Sequence, residues 1–259
     1  MMYSLIKYEL KNRTAVITIN RPEIYNALNS QTKHELTEAI NAADRDPNVG
    51  CVLLTGSGRN AFSAGQDFHE SKDLDPSDAK AWLNSFLPMY EAFRNFQKPI
   101  VCLINGSCAG SGLQLALLCD IRLATPNARL GLTEINVGFP TITGSTMLWD
   151  HVGQGLTVEM SLTGRLLDAE ESLKHGLITK IVPWENVDEE VMAYCDDLAA
   201  KAPTAIRSMK KWFRMLTEDN FRRSFEFGAD AHYIGYLSGE PKEYQEKFLA
   251  ERAARHKKH

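Results

Sequence analysis

Asn105-Gly-Ser-Cys-Ala-Gly-Ser-Gly-Leu-Gln114 follows directly on the apolar run Ile100-Val-Cys-Leu-Ile104. The run shows no alternation of polar and apolar residues, the pattern of a strand covered on both faces. Pro99 marks its start, and the glycines after it read as a tight turn into a helix over residues 109–118. Strand, turn and helix in that order are the unit of an α/β fold.

The same rhythm extends outward in both directions. Upstream, residues 5–10 and 15–19 are short β-type runs joined by Lys11-Asn-Arg13, which predicts a hairpin. Ser30 is the expected N-cap of a helix whose apolar positions Leu36, Ala39, Ile40 and Ala43 recur at helical spacing until Pro47. Residues 50–55 form a second continuous apolar strand, and residues 69–78, polar and without periodicity, are expected to be a mobile loop. Trp82, Phe86, Met89, Tyr90, Phe93 and Phe96 mark one amphipathic helix ending before Pro99. Downstream come strands over 121–124 and 129–132 and a helix over 154–163, with no linker between the units.

From about Val187 the pattern turns purely helical, with helices expected over 201–216, 221–237 and 240–255. The division is therefore a core over residues 1–190 and a C-terminal helical region over 191–259. Aromatics at Trp212, Phe213, Phe221, Phe225, Phe227, Tyr233 and Tyr236 exceed what one amphipathic face needs. They point either to a neighbouring subunit or to the chain's own core.

The 259 residues carry a formal charge of −4, with 44% apolar and 24% charged positions. That charge gives no long-range attraction for nucleic acid or an anionic membrane, although the tail from Arg252 to His259 is locally basic. Neither a leader over Met1–Lys11 nor a bilayer-spanning stretch stands out, so a soluble cytoplasmic protein is expected. The five cysteines are scattered singly with no metal-ligand spacing, the usage of buried reduced thiols.

Three segments carry candidate chemistry. Gly110, Ser111 and Gly112 open a helix, where free backbone N–H groups and the helix dipole favour a developing oxyanion; the same glycines also permit close strand–helix packing. Ala64-Gly65-Gln66 is a second turn able to aim an N–H inward, and the adjacent Asp67 suits a loop cap. Glu134 stands among Leu132, Ile135, Val137 and Phe139, and desolvation there raises a carboxyl pKa toward proton transfer. A rival reading places Cys108 as the nucleophile of a Gly106-Ser-Cys-Ala-Gly110 elbow, with His151, His175 or His232 as its base.

Taken together, the motifs resemble the crotonase, or enoyl-CoA hydratase/isomerase, superfamily over nearly the whole chain. Arg21-Pro-Glu-Ile-Tyr-Asn-Ala-Leu28 is similar to its Arg-Pro-x-x-x-Asn-Ala-Leu motif, Phe62-Ser-Ala-Gly-Gln-Asp67 to its Phe-x-Ala-Gly-x-Asp loop, and Asn105-Gly-Ser-Cys-Ala-Gly110 to its Asn-Gly-x-Ala-x-Gly turn. Leu118-Cys-Asp-Ile121, Leu162-Thr-Gly164 and His175-Gly-Leu-Ile178 follow in the family's order. The resemblance implies an α/β fold, a crotonase-like spiral of ββα units, with a helical C-terminal trimerisation region. It implies a homotrimer or a dimer of trimers.

It further implies an acyl-CoA substrate, with coenzyme A as part of that substrate and no metal or redox cofactor. Coenzyme A would lie along Asn26, Ala27, Ala64, Gly65, Asp67, Phe68 and Gly110. The backbone N–H groups of Gln66 and Ser111 would form the oxyanion hole, and Glu134 falls on the family's second catalytic glutamate. The first glutamate position holds Gln114, and a neutral amide cannot take up a proton. That departure shifts weight from two-carboxylate hydration toward isomerisation or an atypical hydration. A thioester hydrolase or lyase of the same fold, or a silent acyl-CoA-binding member, remains an alternative.

Overall fold

The computed structural model describes residues 3–71 and 74–256. Strands β1 (Ile6–Lys11) and β2 (Thr14–Ile19) form the expected antiparallel hairpin, whose turn is made by Asn12 in the left-handed region at φ 53°. Helix α1 (Ser30–Arg45) buries Leu36, Ala39, Ile40 and Ala43 as its periodicity requires. Its N-cap is Asn29, not Ser30: the Thr32 N–H donates to Asn29 Oδ1 at 2.8 Å, and Ser30 is already the first helical residue.

The chain then repeats one operation. Strand β3 (Cys51–Gly56) joins a large sheet, β4 (Ala61–Ser63) a small one, and helices α2 (Ala79–Asn84) and α3 (Leu87–Asn95) follow. Next β5 (Ile100–Ile104) enters the large sheet, β6 (Ser107–Ala109) the small one, and α4 (Ser111–Leu117) closes the unit. Then come β7 (Ile121–Ala124), β8 (Arg129–Gly131) and α5 (Ile142–Thr163). Strand β9 (Leu167–Asp168), helix α6 (Ala169–Lys174) and strand β10 (Lys180–Ile181) complete the two sheets. Their orders are β1-β2-β3-β5-β7-β10 and β4-β6-β8-β9. This is the spiral of ββα units expected from the sequence, with β3, β5 and β7 parallel neighbours in one sheet and β4, β6 and β8 in the other.

Several boundaries differ from the sequence expectation, each for a local reason. The aromatic helix is two helices, because Pro88 lacks an N–H and its ring would collide with the carbonyl four residues back, that of Asn84, where α2 ends. The segment 69–78 contains two single 3-10 turns, Phe68–Glu70 capped by Asp67 and Pro76–Asp78 capped by Asp75; Lys72 and Asp73 lie outside the described residues. Helix α5 begins twelve residues before the expected start and bends at Gly153, whose φ of 76° is not helical.

Helix α7 (Val187–Ala199) leads to α8 (Pro203–Ser238), one helix of 36 residues where two were expected, and then to α9 (Glu240–His256). The polar run Thr217–Asn220 does not break α8 because Glu218 is held at 2.9 Å by Arg94 and at 2.6 Å by Arg222, one turn on. Helix α8 packs on α2 and α5, and α9 on the turn that holds Glu134. The tail's aromatics divide accordingly: Phe221 and Phe225 are buried in the chain's own core, whereas Trp212, Phe213 and Phe227 are exposed. Among the described residues no helix is long and apolar enough to cross a membrane. The basic tail ends in residues 257–259, outside those described.

Candidate active site

The parallel strands β4, β6 and β8 end side by side, so the residues just past them face one space, as at the carboxyl ends of parallel strands generally. There lies a cavity of about 670 Å³, its open mouth included. Ala64, Gln66 and Phe68 follow β4; Gly110, Ser111 and Gln114 follow β6; Thr133 and Glu134 follow β8; and all of them line it. Trp82, Phe86 and Tyr90 of the α2–α3 segment, with Phe225 and His232 of α8, form its apolar side.

The loop after β4 is held by β-like pairing with Leu28: the Leu28 N–H donates to Gly65 O at 2.8 Å and the Asp67 N–H to Leu28 O at 3.1 Å. The Gln66 N–H between them makes no hydrogen bond within the described chain. Gly65 sits at φ +93°, which no side chain adopts easily, and a Cβ there would lie 2.7 Å from Ala109 O and 3.3 Å from Ser111 N. The two turns therefore touch through glycine. Ser111 opens α4 behind Gly110 at φ 55°, so its N–H is one of the helix's unpaired first-turn donors. Two backbone donors thus stand on adjoining segments of the cavity wall.

Glu134 opens a 3-10 turn that ends at Gly138, left-handed at φ 78°. Its Oε1 accepts from Gln114 Nε2 at 2.7 Å, and Gln114 Oε1 accepts from the Tyr90 hydroxyl at 2.9 Å. The residue as a whole is half-buried, yet its Oε2 is closed off from water and unpartnered. Burial pushes the carboxyl pKa up, opposed by its own backbone N–H and the Gln114 amide. The nearby Thr141 hydroxyl acts in the same lowering sense but has no hydrogen-bond partner. A Cβ on Gly110 would stand 3.6 Å from Glu134 Cδ and Oε1, so the carboxyl faces the start of α4.

Asn26, Ala27, Gly65 and Asp67 build the loop and do not line the cavity. Asn26 is fully buried, accepting from Arg21 N–H at 3.0 Å and donating to Ser57 O and Ala61 O at 3.0 and 2.8 Å. Asp67 pairs with Arg21 at 2.9 Å, and the Ala27 carbonyl accepts from the same guanidinium. The polar side chains at Asn26 and Asp67 are therefore engaged within the protein. Phe68 meets Phe248 of α9 edge-on at 6.2 Å.

The elbow reading of Cys108 is corrected. Cys108 lies inside β6, fully buried among the core side chains, and burial pushes its thiol pKa up. The sharp turn comes two residues later, at Gly110. His151 faces Arg122 at 3.4 Å and its pKa is pushed down to about 4, first by burial and then by that guanidinium. Neither it nor the exposed His175 lines the cavity.

Part of the wall carries no functional signal in the sequence. Trp82, Phe86 and Tyr90 sit at i, i+4 and i+8, a spacing that reads as a core stripe, and only the fold shows that the stripe borders a cavity. His232 carries no motif in the sequence and stands out there only as a base for Cys108. Among the described residues, five polar atoms on cavity residues are shielded from solvent and have no hydrogen-bond partner: Gln66 Oε1, Ser71 Oγ, Trp82 Nε1, Ser111 Oγ and Glu134 Oε2. Buried groups left in that state are costly unless a ligand or water meets them.

Comparison with known proteins gives a consistent picture. The sequence model of a family described as enoyl-CoA hydratase/isomerase matches residues 9–258. A probable enoyl-CoA hydratase of Rhizobium meliloti is 32% identical over 258 residues, 99% of each chain. A crotonyl-CoA hydratase of Syntrophomonas wolfei is 31% identical over 98% of each. The crystal structure of an enoyl-CoA hydratase/isomerase from Pseudoalteromonas atlantica superposes with a TM-score of 0.86 at 28% identity, covering 96% of this chain and 98% of that one.

Proposed function

The chain belongs to the enoyl-CoA hydratase/isomerase family, and on that premise we propose that it acts on an enoyl-CoA thioester through an enolate served by one carboxylate. The thioester oxygen accepts from the Gln66 and Ser111 N–H groups, which belong to cavity-lining residues and make no hydrogen bond among the described residues. Preorganised donors aimed at a developing oxyanion commonly supply the largest electrostatic share of such a rate enhancement. The Glu134 carboxyl exchanges the proton with the substrate carbon chain. The observation that carries this reading is that Glu134, its carboxyl pKa pushed up by burial, lines the same cavity as both donors.

Gln114 is the neutral partner. Its Oε1 is occupied by Tyr90, so its amide nitrogen faces Glu134 and holds Oε1 of the carboxylate. The second amide hydrogen is uncommitted and suits the oxygen of an added water. That geometry supports single-carboxylate hydration, a reading also favoured by relatives named as hydratases. Double-bond migration is the second reading, because the same base can remove an α proton and return it at the γ carbon without any water. Incubation with crotonyl-CoA and with a 3-enoyl-CoA separates the two: a 3-hydroxyacyl product supports hydration, a migrated double bond supports isomerisation, and neither product overturns the proposal.

Assembly into trimers, or a dimer of trimers, is part of the same proposal. Along α8, Trp212, Phe213, Phe227 and Ile234 are 51–65% exposed, and exposed large apolar side chains on one helix favour an association surface. Light scattering on the purified protein tests it, a monomer at micromolar concentration being the contrary result.

A further inference from the structure

A buried cation touches the cavity wall from outside the lining. Lys33, on α1 and 3% exposed, reaches the joint where α2 ends at Asn84 and α3 begins at Leu87. Its Nζ donates to Ser85 Oγ at 3.0 Å, and it lies 3.8 Å from the centre of the Phe86 ring and 5.9 Å from that of Trp82. Phe86 and Trp82 line the cavity, whereas Lys33 does not.

No carboxylate among the described residues pairs with this ammonium. Glu70, on the turn after β4, is the charged group that acts on it, and the Glu70 carboxylate is taken up by the Ser30 N–H and hydroxyl at 2.8 and 2.9 Å. The other charges nearby in the chain face elsewhere. On α1, Glu35 accepts from the Leu5 and Ile6 N–H groups and Glu38 meets His34. Lys80 of α2 pairs with Asp230, and Glu91 and Arg94 of α3 pair with Arg222 and Glu218, all three partners on α8. Burial therefore pushes the Lys33 pKa down, to about 8, against the pull of Glu70. A ring face attracts a cation most where water is excluded, and a charged donor makes the stronger hydrogen bond. Both contacts to the wall thus depend on the proton.

We infer that Lys33 is a positioning residue of the cavity: its ammonium, held over Phe86 at the joint between α2 and α3, fixes the wall made by Trp82 and Phe86, and the wall's grip on the acyl group fades as that ammonium loses its proton. The inference rests on the acyl-CoA reading above and adds a pH-dependent binding element to that site. Its stability signature runs opposite to its binding signature. Between the folded value of about 8 and the ordinary lysine value of 10.5, the unfolded chain binds more protons, so the stability of wild type relative to Lys33→Met rises with pH. Acyl-CoA affinity falls as that happens, which a general loosening of the fold would not produce.

The test uses butanoyl-CoA, which lacks the reacting double bond, titrated calorimetrically at pH 7 and pH 9. Wild type is expected to bind about three- to tenfold more weakly at pH 9, the scale of one cation–π contact, and Lys33→Met to bind as weakly at pH 7 as at pH 9. Amide hydrogen exchange over residues 79–86, corrected for its intrinsic pH dependence, reads the wall without ligand. Wild type should lose protection between the two pH values, and Lys33→Met should lack that protection at pH 7. Affinity that is equal at both pH values in wild type, or wall protection that is, overturns the inference, as does a Lys33→Met protein that keeps both changes. Turnover of crotonyl-CoA is followed in parallel, the effect of Lys33→Met being expected in KM with kcat little changed. A pH-dependent wall in a protein that turns over no enoyl-CoA supports the role of Lys33 and overturns the activity. Turnover with a pH-independent wall does the reverse.

Discussion

The Tyr90 hydroxyl donates to Gln114 Oε1 at 2.9 Å, and this one bond decides which end of the Gln114 amide faces Glu134. A carboxylate can only accept, so the amide nitrogen at 2.7 Å from Glu134 Oε1 is the pairing an ionised Glu134 demands. Tyr90 itself is 2% exposed, and burial pushes its phenol pKa up, so it stays a donor across the working pH range.

Tyr90→Phe removes that donor and leaves a buried amide oxygen unpaired. The Gln114 amide then samples both orientations, and in the flipped one its oxygen opposes the Glu134 carboxylate. The expected result is a fall in kcat of roughly five- to tenfold, the scale of one hydrogen bond, with KM little changed. Steady-state kinetics on the turned-over enoyl-CoA check it.

Gln114→Glu places a second carboxyl within 2.7 Å of Glu134. Two carboxyls that close share a proton, and the apparent pKa of the pair's second ionisation rises. The acid limb of the pH–rate profile is expected to move to higher pH than in wild type. An unchanged limb would mean that residue 114 does not face Glu134 in the working enzyme.

Glu134→Gln is expected to lower kcat by about 10²–10⁴, the range for a lost general acid–base, while raising thermal stability. The sign follows from the direction of the pKa shift. Burial raises the folded-state pKa above the ordinary glutamate value, so the stability tied to the proton is complete below the unfolded pKa of about 4.3 and lost as pH rises through the folded value. At neutral pH the wild type therefore carries a buried charge that the glutamine lacks. Melting temperature should rise by a few degrees at pH 7, at roughly 2–4 °C per kcal/mol for a chain of this size. The difference should fade below about pH 4.3. By the same direction of shift, wild-type kcat falls on acidification at a pH above that of an ordinary glutamate. Calorimetry and a pH–rate profile read both effects.

Gly65→Ala puts a methyl group 2.7 Å from Ala109 O on a backbone at φ +93°. The turn must move, and the Gln66 and Ser111 donors lose their alignment. Strain of this kind costs about 1–3 kcal/mol, and removing one oxyanion donor costs about 10²–10³ in kcat. The variant should fold with a lowered melting temperature and lose kcat much more than CoA-thioester affinity.

How much of this was legible beforehand varies with the physics of each element. Strands β5 and β7 stand where the sequence put them, to the residue: β5 is a continuous apolar run opened by Pro99, and β7, Ile121-Arg-Leu-Ala124, begins directly after Asp120. The start of α5 was hidden: Ile142-Thr-Gly-Ser-Thr146 has poor helix propensity, and the helix forms there because Thr143, Gly144 and Leu148 are buried against neighbours. Gly144 leaves no room for a side chain, with Thr141 Oγ1 only 2.5 Å from a would-be Cβ. Local spacing could not say this.

The cavity shows the same division. Gln66, Ser111, Gln114 and Glu134 were singled out through motifs, and the fold brings all four to one space. Tyr90 reads as a core aromatic, and it is one; its hydroxyl acquires a task only because the fold brings it within reach of Gln114 on α4. A hydrogen bond between residues 24 positions apart leaves no periodic signature in the chain.

The central claim, that Glu134 alone moves the proton while backbone donors hold the thioester oxygen, is tested most directly by isotope transfer. Wild type and Glu134→Gln are incubated with crotonyl-CoA and a 3-enoyl-CoA in deuterated water, and the position of deuterium is read by mass spectrometry and NMR. Wild type should place solvent deuterium at C2 or C4 of the acyl chain, and Glu134→Gln should do so at a rate lower by about 10²–10⁴. Deuterium entering the variant's product at the wild-type rate, or a hydrated wild-type product with no deuterium at C2, would contradict the account.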